Sequence, residues 1–291
     1  MANLKEIRIR ITSVMSTMQI TSAMKMVSAA KLKRAQDKIT RMRPYAEKMK
    51  EILNNVSASL DSSEGVYSAQ REVKNVLVVA ITSNRGLCGG FNNNVIKEIR
   101  TLTRGELAGK NVKILSLGKK AFDFYKKSGE NTTEGLSDTP YAIFDKLTYE
   151  DSSEIAEVIM KQYASGKYDK VILVYNKFKN AASQILVAEQ FLPVVPTQSE
   201  GSSAQTDYIF EPQKEAILDE LIPRTLKIQL FKALLDSNAS EHGARMTAMH
   251  KATDNAGDLV KELKLTYNKA RQAAITGEIL EIVAGAEALK G

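Results

Sequence analysis

Residues 1–56 read MANLKEIRIRITSVMSTMQITSAMKMVSAAKLKRAQDKITRMRPYAEKMKEILNNV, and the spacing of their apolar side chains decides the fold. Apolar residues recur at alternating intervals of three and four, as in the seam of a coiled coil. The seam positions are Leu4, Ile7, Ile11, Val14, Met18, Leu32, Ala35, Ile39, Met42, Ala46, Met49, Leu53 and Val56. Pro44 is the only proline before Pro140. The stretch therefore predicts one long helix of about 80 Å, at about 1.5 Å per residue.

The middle of this helix carries a second apolar stripe. Between residues 18 and 32 the seam register falls on polar or charged side chains, namely Thr21, Lys25 and Ser28. The apolar side chains of that interval are Ile20, Met24 and Val27. We expect a second contact surface there, and the alternative is a local relaxation of the supercoil.

The C-terminal residues 213–289 repeat this spacing, and no proline follows Pro223. Their seam positions are Phe231, Leu235, Met249, Ala252, Ala256, Leu259, Leu263 and Ala270. Polar residues interrupt the seam at Asn238, His242 and Arg245, and such interruptions set register at some cost in stability. We expect a second long helix that packs antiparallel against the first.

Counting residues along two antiparallel helices predicts which of their residues lie side by side. If both helices leave the middle of the chain together, at about residues 56 and 213, Met24 lies beside Arg245 and Met1 near residue 268. About the last 20 residues then have no partner within the chain. Their apolar members are Ile275, Ile279, Leu280, Ile282, Val283 and Leu289, which predicts that another protein covers them.

Charge is distributed unevenly along the chain. Residues 1–56 contain twelve Lys and Arg against four Asp and Glu, a net charge of +8, whereas the whole chain carries +7. A basic stripe of this kind is typical of a helix that meets nucleic acid or an acidic protein surface. An ordinary solvated helix face is the alternative.

The middle of the chain, residues 73–192, alternates predicted strands and helices. The strand candidates are Val76–Thr82, Val112–Leu117, Val171–Tyr175 and Gln184–Phe191, and the helix candidates are Asn94–Arg104 and Ser153–Ala164. The first strand is a continuous apolar run, as expected of a buried parallel strand. This order predicts a small, Rossmann-like layered α/β domain. Residues 193–212, rich in Ser, Gly and Pro, are the predicted linker to the second long helix.

A glycine-rich turn, Ser83–Asn92, follows the first strand and opens a helix, where a phosphate could be cradled. The turn fits neither G-x-G-x-x-G nor G-x-x-x-x-G-K-[ST], and no lysine follows to meet a phosphate. We therefore expect the glycines Gly86–Gly90 to serve a tight turn, and nucleotide binding there is the less favoured reading.

Residues for other chemistry are few. Cys88 is the only cysteine, and His242 and His250, the only histidines, stand eight apart without an HExxH pattern. We expect no catalytic residues, no metal site and no cofactor. No run of 18 apolar residues occurs, and the start lacks the features of a secretory signal, so we expect membrane association only through partners.

Four segments together resemble the gamma chains of F-type ATP synthases. They are the opening KEIRIRITSVMSTMQITSAMKMVSAAKLKRAQ, the turn TSNRGLCGGFN, the segment SNASEHGARMTAMHKATDNAGDLVKELKLTYNKARQAAIT, and the ending ITGEILEIVAGAEAL. The ending fits the family pattern I-T-x-E-x-x-E-x-x-x-G-A-x-A. The resemblance spans the whole chain.

The resemblance implies a central rotor without catalytic residues of its own. Proton flow turns a membrane c ring, which turns gamma with the epsilon chain. The asymmetric coiled coil then drives the catalytic interfaces of three alpha and three beta chains through different conformations, in ATP synthesis or in its reverse, hydrolysis. The Rossmann-like part lies at the membrane end. Nucleic acid and direct membrane insertion play no part in this role.

The resemblance also assigns site residues. Met24 matches the family position that faces an acidic lever loop of beta, with Lys25 beside it. The C-terminal positions tied to coupling are matched by Arg245, Gln272, Thr276, Glu278 and Glu281. Two residues depart from the family pattern: Lys25 stands where many bacterial members have Glu, and Asn84 where the family usually has Asp.

The family pattern begins almost at Met1, with no transit peptide before it and no chloroplast-type cysteine pair within it. We therefore expect a peripheral subunit on the cytoplasmic face of a bacterial inner membrane. The alternatives are a basic coiled-coil protein that binds nucleic acid and a nucleotide-binding enzyme that uses the Gly86–Gly90 turn.

Overall fold

The computed structural model describes residues 4–58, 66–69, 71–194 and 214–289, except for the side chains at 50, 54–58 and 214–219. Five α-helices and four strands follow one another along these residues, with one 3-10 helix at Pro140–Phe144. The helices are α1 (Leu4–Ala58), α2 (Phe91–Arg104), α3 (Lys119–Ser128), α4 (Tyr149–Ala164) and α5 (Lys214–Ala288). The strands are β1 (Asn75–Ile81), β2 (Asn111–Leu117), β3 (Lys170–Phe178) and β4 (Gln184–Leu192). This architecture confirms the predicted α/β class with long helices at both ends.

The chain divides into two compact units. The end unit comprises Met1–Ser28 and Met246–Gly291, and the central unit comprises Ala29–Arg245. Both long helices contribute to both units. Each unit is described separately below.

A four-stranded sheet forms the middle of the central unit, in the order β2-β1-β3-β4. β1 pairs in parallel with β2 and β3, and β4 pairs antiparallel with β3. The antiparallel edge strand was not foreseen. It follows from the short connection 179–183, because so few residues can join only antiparallel neighbours. The Asn180 side chain closes this connection by accepting hydrogen bonds from the Ala182 and Ser183 amides, at 3.0 and 2.7 Å.

Both faces of the sheet are covered, which explains the continuous apolar run of β1. One face, with Leu77 and Val79, packs against α4 and against Leu226, Leu230 and Leu234 of α5. The other face, with Val76 and Val78, packs against α2 and α3. The core thus has two layers, one on each side of the parallel strands.

The long helices pack on each other within the central unit. Ala46 and Met49 of α1 contact Ile228 of α5, and Leu32, Ala35 and Ile39 are buried. The turn between β3 and β4 lies against α5, because a Cβ added at Gly243 would stand 3.0 Å from the Ala181 carbonyl oxygen. Glycine at this position permits that close approach.

In the end unit α1 and α5 run antiparallel. The Thr253 hydroxyl hydrogen-bonds to the Thr21 hydroxyl at 2.9 Å, while a Cβ at Gly257 would lie 3.8 Å from the Met18 sulfur. Thr21 is 9% exposed and Ser28 2% exposed, so the predicted seam continues through its polar positions.

Two details of the predicted seam are wrong. The Thr21–Thr253 pair places Met24 level with about residue 250 rather than with Arg245. The assumption that residues 56 and 213 lie side by side was therefore several residues off. Leu259 is 37% exposed, whereas its neighbour Val260 is 7% exposed and continues the seam from Ala256. The apolar positions here drift by one residue, as expected when an α-helix of 3.6 residues per turn is compared with a strict 3.5 repeat.

The predicted strands and helices of the middle of the chain agree with β1–β4, α2 and α4 within a few residues. α3 and the 3-10 helix were not predicted. The linker 193–212 lies outside the described residues beyond Val194.

Candidate coupling site

The glycine-rich turn after β1 is held by buried polar side chains. Ser83 donates through its hydroxyl to the Arg85 carbonyl at 2.6 Å, and its amide donates to Asn92 Oδ1 at 2.9 Å. Asn92 also donates from Nδ2 to the Cys88 sulfur at 3.2 Å. Leu87 and Gly89 adopt the left-handed conformation, with φ of 62° and 60°. The sequence therefore needs Gly89 for its backbone freedom, as expected for a tight turn.

Cys88 is enclosed by this network. Burial raises the pKa of its thiol, against a smaller lowering by the hydrogen bond with Ser83. The thiolate is the reactive form of cysteine, so this position favours a packing role over nucleophilic chemistry.

Two carbonyl oxygens of the turn face the side chain of Arg245 on α5. The Ser83 amide is bonded to Asn92, and the Phe91 amide donates to the Cys88 carbonyl at 3.3 Å. The carbonyl oxygens of Arg85 and Gly86 accept hydrogen bonds from Arg245. A phosphate cradle needs inward-facing amides, whereas the two backbone groups that meet Arg245 are carbonyls, which have the opposite polarity.

Arg245 links the turn to α5 within the central unit. Arg245 is 8% exposed. Its guanidinium donates hydrogen bonds to the Gly86 and Arg85 carbonyls and to Glu241 Oε1, the last at 2.6 Å. The carboxylate of Glu241 lies one helical turn before it, at the i,i+4 spacing that suits an ion pair. The polar interruption of the seam at Arg245 is thus explained by a buried charge with three acceptors.

Asn84 stands at a position where we expect Asp from the family resemblance. Its side chain is hydrogen-bonded to two other segments of the central unit. Its Nδ2 donates to the Tyr141 carbonyl at 3.0 Å, and its Oδ1 accepts from the Lys119 amide at 3.1 Å. An ionised aspartate could accept the second hydrogen bond but could not donate the first. The amide therefore suits this position.

The second apolar stripe of α1 faces away from the seam in the end unit. Ile20 is 60% exposed and Val27 57% exposed, while Met24 and Lys25 are partly buried. The Ser28 hydroxyl donates to the Met24 carbonyl at 2.7 Å, which uses the helix's own backbone and leaves the Met24 side chain uninvolved. A stripe of large apolar side chains in this position can meet another protein.

Four of the predicted site residues lie in the last turns of α5. Gln272, Thr276, Glu278 and Glu281 are all exposed. Among them the structure joins Thr276 and Gln272, through a hydrogen bond from the Thr276 hydroxyl to the Gln272 carbonyl at 2.9 Å. By helical rise, Gln272 lies about 28 Å along α5 from the Thr21–Thr253 pair of the same unit.

Some residues that hold the turn and Arg245 in place were not predicted from the sequence. Ser83, Asn92 and Glu241 organise the turn and Arg245, yet polar residues in a turn or on a helix have many ordinary roles. Only the i,i+4 spacing of Glu241 and Arg245 offered a signal. The partners of the turn, 160 residues away along the chain, depend on tertiary structure.

Within the described ranges, no group of three or more His, Cys, Asp or Glu side chains is placed to hold a metal ion. No described helix has a stretch long and apolar enough to span a bilayer.

Comparison with known proteins agrees with the geometry. The sequence model of a family described as ATP synthase matches residues 3–289. The ATP synthase gamma chain of Flavobacterium johnsoniae is 63% identical over 100% of both chains, and that of Cytophaga hutchinsonii is 51% identical over 99% of each.

Among solved structures, the central stalk and c ring of the Tetrahymena thermophila mitochondrial ATP synthase gives a TM-score of 0.57 at 25% identity, over 80% of this chain and 99% of that one. The rotor of the Euglena gracilis mitochondrial ATP synthase gives a TM-score of 0.66 at 22% identity, over 94% of this chain and 98% of that one, a likeness of fold. The long helical pair, the small α/β sheet and the full-length match to the relatives lead to one conclusion: this chain belongs to the family of ATP synthase gamma chains.

Proposed function

We propose that this chain, a non-catalytic rotor subunit of ATP synthase, couples the two reactions of the enzyme by rotating as its central shaft. Proton flow through a membrane ring turns the chain, and its asymmetric helices bias the conformations of surrounding catalytic chains. Those conformations differ in nucleotide affinity, and the shaft supplies the different contacts that such coupling requires. The same coupling run backwards uses ATP hydrolysis to turn the shaft.

The exposed apolar end of α5 is the observation that carries this proposal. The large apolar side chains from Ile275 to Val283 are 48–71% exposed, and Leu289, just after the helix, is 90% exposed, whereas Ala256 and Val260, earlier on the same helix, are each 7% exposed. A helix end this apolar calls for a surrounding protein surface. An apolar sleeve formed by the catalytic ring supplies one, and it offers few directional bonds that rotation must break.

The basic side chains of α1 suit a moving electrostatic contact. Exposed Arg8, Arg10, Arg34, Lys38 and Arg41 form no ion pair within the described ranges. Attraction between exposed charges is long-ranged but weak, so it orients partners without locking them. We assign the partner surface to acidic loops of beta chains, with Met24 and Lys25 at the point of contact.

Arg245 acts as a positioning residue in this scheme. By binding the Arg85 and Gly86 carbonyls it fastens the turn of the α/β domain to α5. Torque applied to α5 then reaches the domain through a buried, charge-assisted contact rather than through packing alone. Gln272, Thr276, Glu278 and Glu281 lie in the exposed part of α5 and contact the ring directly.

The remaining assignments follow the same scheme. Residues 1–56 and 213–289 form the shaft, residues 73–192 the α/β domain at the membrane end, and residues 193–212 the linker. The partners are three alpha chains, three beta chains, the epsilon chain and the c ring. The complex places the chain on the cytoplasmic face of a bacterial inner membrane, as a peripheral subunit.

Affinity purification of the tagged chain from its source cells tests this function. We expect alpha, beta and epsilon chains and the c ring to be recovered together at moderate salt, with ATPase activity in the eluate. A matched control carries the tag on a chain that lacks residues 1–28. Recovery of the intact chain without alpha and beta chains would contradict the rotor function, and recovery of nucleic acid in their place would favour the nucleic-acid alternative.

A further inference from the structure

A cleft of about 530 Å³ opens in the central unit where α2 and α3 end beside β2. Its floor is apolar and aromatic, formed by Ile99, Ile114, Phe124 and Tyr125. The volume lies within the range of about 300–1,000 Å³ that is common for small-molecule sites. The coupling scheme described above uses none of these residues.

Three cations surround this floor, namely Arg100, Arg104 and Lys127. All three are exposed, and none forms an ion pair with a carboxylate in the described part of the chain. The single acidic side chain of the lining, Glu130, accepts a hydrogen bond from the Ser128 hydroxyl at 2.9 Å. The lining therefore carries an excess of positive charge around an apolar floor.

Helix ends explain part of this charge. Arg104 and Lys127 lie in the last turns of α2 and α3, where a cation is favoured by the helix dipole. Arg100 lies a full turn earlier, and its guanidinium carbon stands 4.7 Å from the centre of the Phe124 ring. This cation–π contact holds the Arg100 guanidinium at the edge of the floor, and its N–H groups can still donate to a ligand.

We propose that this cleft binds a low-molecular-weight amphipathic anion. An aromatic or short aliphatic body lies on Ile99, Ile114 and Phe124, and a carboxylate or phosphate group meets Arg100 and Arg104. The concave shape favours a small molecule over a protein surface, since protein contacts of this size are normally flat and extended. The proposal does not depend on the rotor function.

Binding of 2-naphthoate to the purified full-length chain tests the proposal by ligand-observed NMR. Two comparators separate the contributions: 2-naphthylmethanol keeps the apolar body without the charge, and inorganic phosphate keeps the charge without the body. We expect 2-naphthoate to bind at least about fivefold more tightly than either comparator, because charge-assisted hydrogen bonds add to the apolar contact.

The variant R100Q/R104Q removes the two arginines, and K97Q/K110Q is the control, since it removes two nearby charges, one exposed and one partly buried, that do not line the cleft. We expect the dissociation constant of 2-naphthoate to rise at least about fivefold in R100Q/R104Q and to stay unchanged in the control. Circular dichroism checks that both variants fold. The proposal is overturned if R100Q/R104Q binds like the parent chain, if the alcohol binds equally well, or if 2-naphthoate does not bind at about 1 mM.

Discussion

Arg43 and Asp236 join α1 to α5 in the central unit through a carboxylate that has no exposed surface. Arg43 Nη2 lies 3.3 Å from Asp236 Oδ1 and donates to the Phe178 carbonyl at 3.0 Å, so one guanidinium holds both helices and the end of β3. The second carboxylate oxygen of Asp236 has no hydrogen-bond partner among the described residues. Burial raises the pKa of Asp236, against a smaller lowering by Arg43.

Removing Arg43 should therefore cost more than removing the charge of Asp236. A buried charge that loses its partner costs about 3–5 kcal/mol, and the 38% exposure of Arg43 reduces this to about 2 kcal/mol for R43A. D236N should leave the stability of the chain unchanged or raise it at pH 7. An aspartate whose pKa is raised in the folded state makes the protein less stable as the pH rises above the pKa of that aspartate in the unfolded chain. Urea unfolding checks both variants, with K33A of the exposed Lys33–Asp37 pair as the control. Equal losses in R43A and K33A would refute this account.

His242 should make the chain sensitive to acid. Burial lowers the pKa of its imidazole to about 4, helped by the nearby charges of Lys31 and Arg245, from 6.5 in the unfolded chain. The unfolded state binds more protons between these values, so stability is present above pH 6.5 and is lost as pH falls towards 4. Replacing His242 with Gln should reduce the loss between pH 7 and pH 5 by about 2 kcal/mol. Urea unfolding at both pH values measures it, and H250Q, at an exposed histidine, should behave like the parent chain.

Gly118 and Gly277 should respond oppositely to alanine. Gly118 has φ of 144°, and a Cβ there would stand 2.3 Å from the Thr82 carbonyl oxygen, so G118A should destabilise the central unit by at least about 3 kcal/mol. Gly277 lies within α5, and in the described part of the chain no atom beyond its own helical turn stands within 4 Å of an added Cβ, so G277A should stabilise its helix by about 1 kcal/mol. Thermal unfolding followed by circular dichroism compares the two, and a G118A chain that melts like the parent would refute the close contact.

Arg245 should matter to the turn more than to helix formation. R245A leaves the Arg85 and Gly86 carbonyls without their donor and leaves Glu241, with a side chain only 12% exposed, without its counter-charge. We expect a loss of about 2–3 kcal/mol and faster amide exchange in residues 84–88. Hydrogen exchange with mass spectrometry measures it. The double variant E241Q/R245A is the control, because it removes the buried charge and should recover part of the stability. Unchanged exchange in the turn would show that Arg245 does not position it.

Deleting residues 280–291 should impair coupling more than folding. The truncated helix loses the exposed Leu280, Ile282, Val283 and Leu289, which touch little of the chain itself. We expect ATP synthesis by membrane vesicles to fall several-fold, while the urea midpoint of the α/β domain stays within error. The variant I282Q/V283Q keeps the full helix length and removes only apolar surface, so it separates the effect of polarity from the effect of length. Full ATP synthesis in both variants would contradict the sleeve contact.

The long helices were predictable because the apolar spacing recurs over many turns, in spite of the polar interruptions. Even polar Thr21 and Ser28 were placed in the seam by register alone, and both are buried. To predict which residues of two helices lie side by side, the start of each helix must be known to within one residue. Apolar spacing does not supply that precision. The Thr21–Thr253 pair shows the resulting shift.

Each strand of the sheet was predictable from the sequence, but the helices and contacts around the sheet were less predictable. α3 buries only Ala121 and Tyr125, too few positions to give a clear helical period in ten residues. The turn was identified from its glycines, whereas its connection to Arg245 was not, because sequence spacing carries no record of which distant carbonyls a guanidinium reaches. The family resemblance named Arg245 without giving this contact.

Ile20 and Val27 lie on the same helix as Thr21 and Ser28, but the first two side chains are exposed and the last two are buried. Mutations on the two stripes therefore fall into separable classes. Because Ile20 and Val27 are exposed, we expect a polar substitution at either position to leave folding intact and to alter only the proposed contact with the surrounding chains, so natural variation can change that contact without loss of stability.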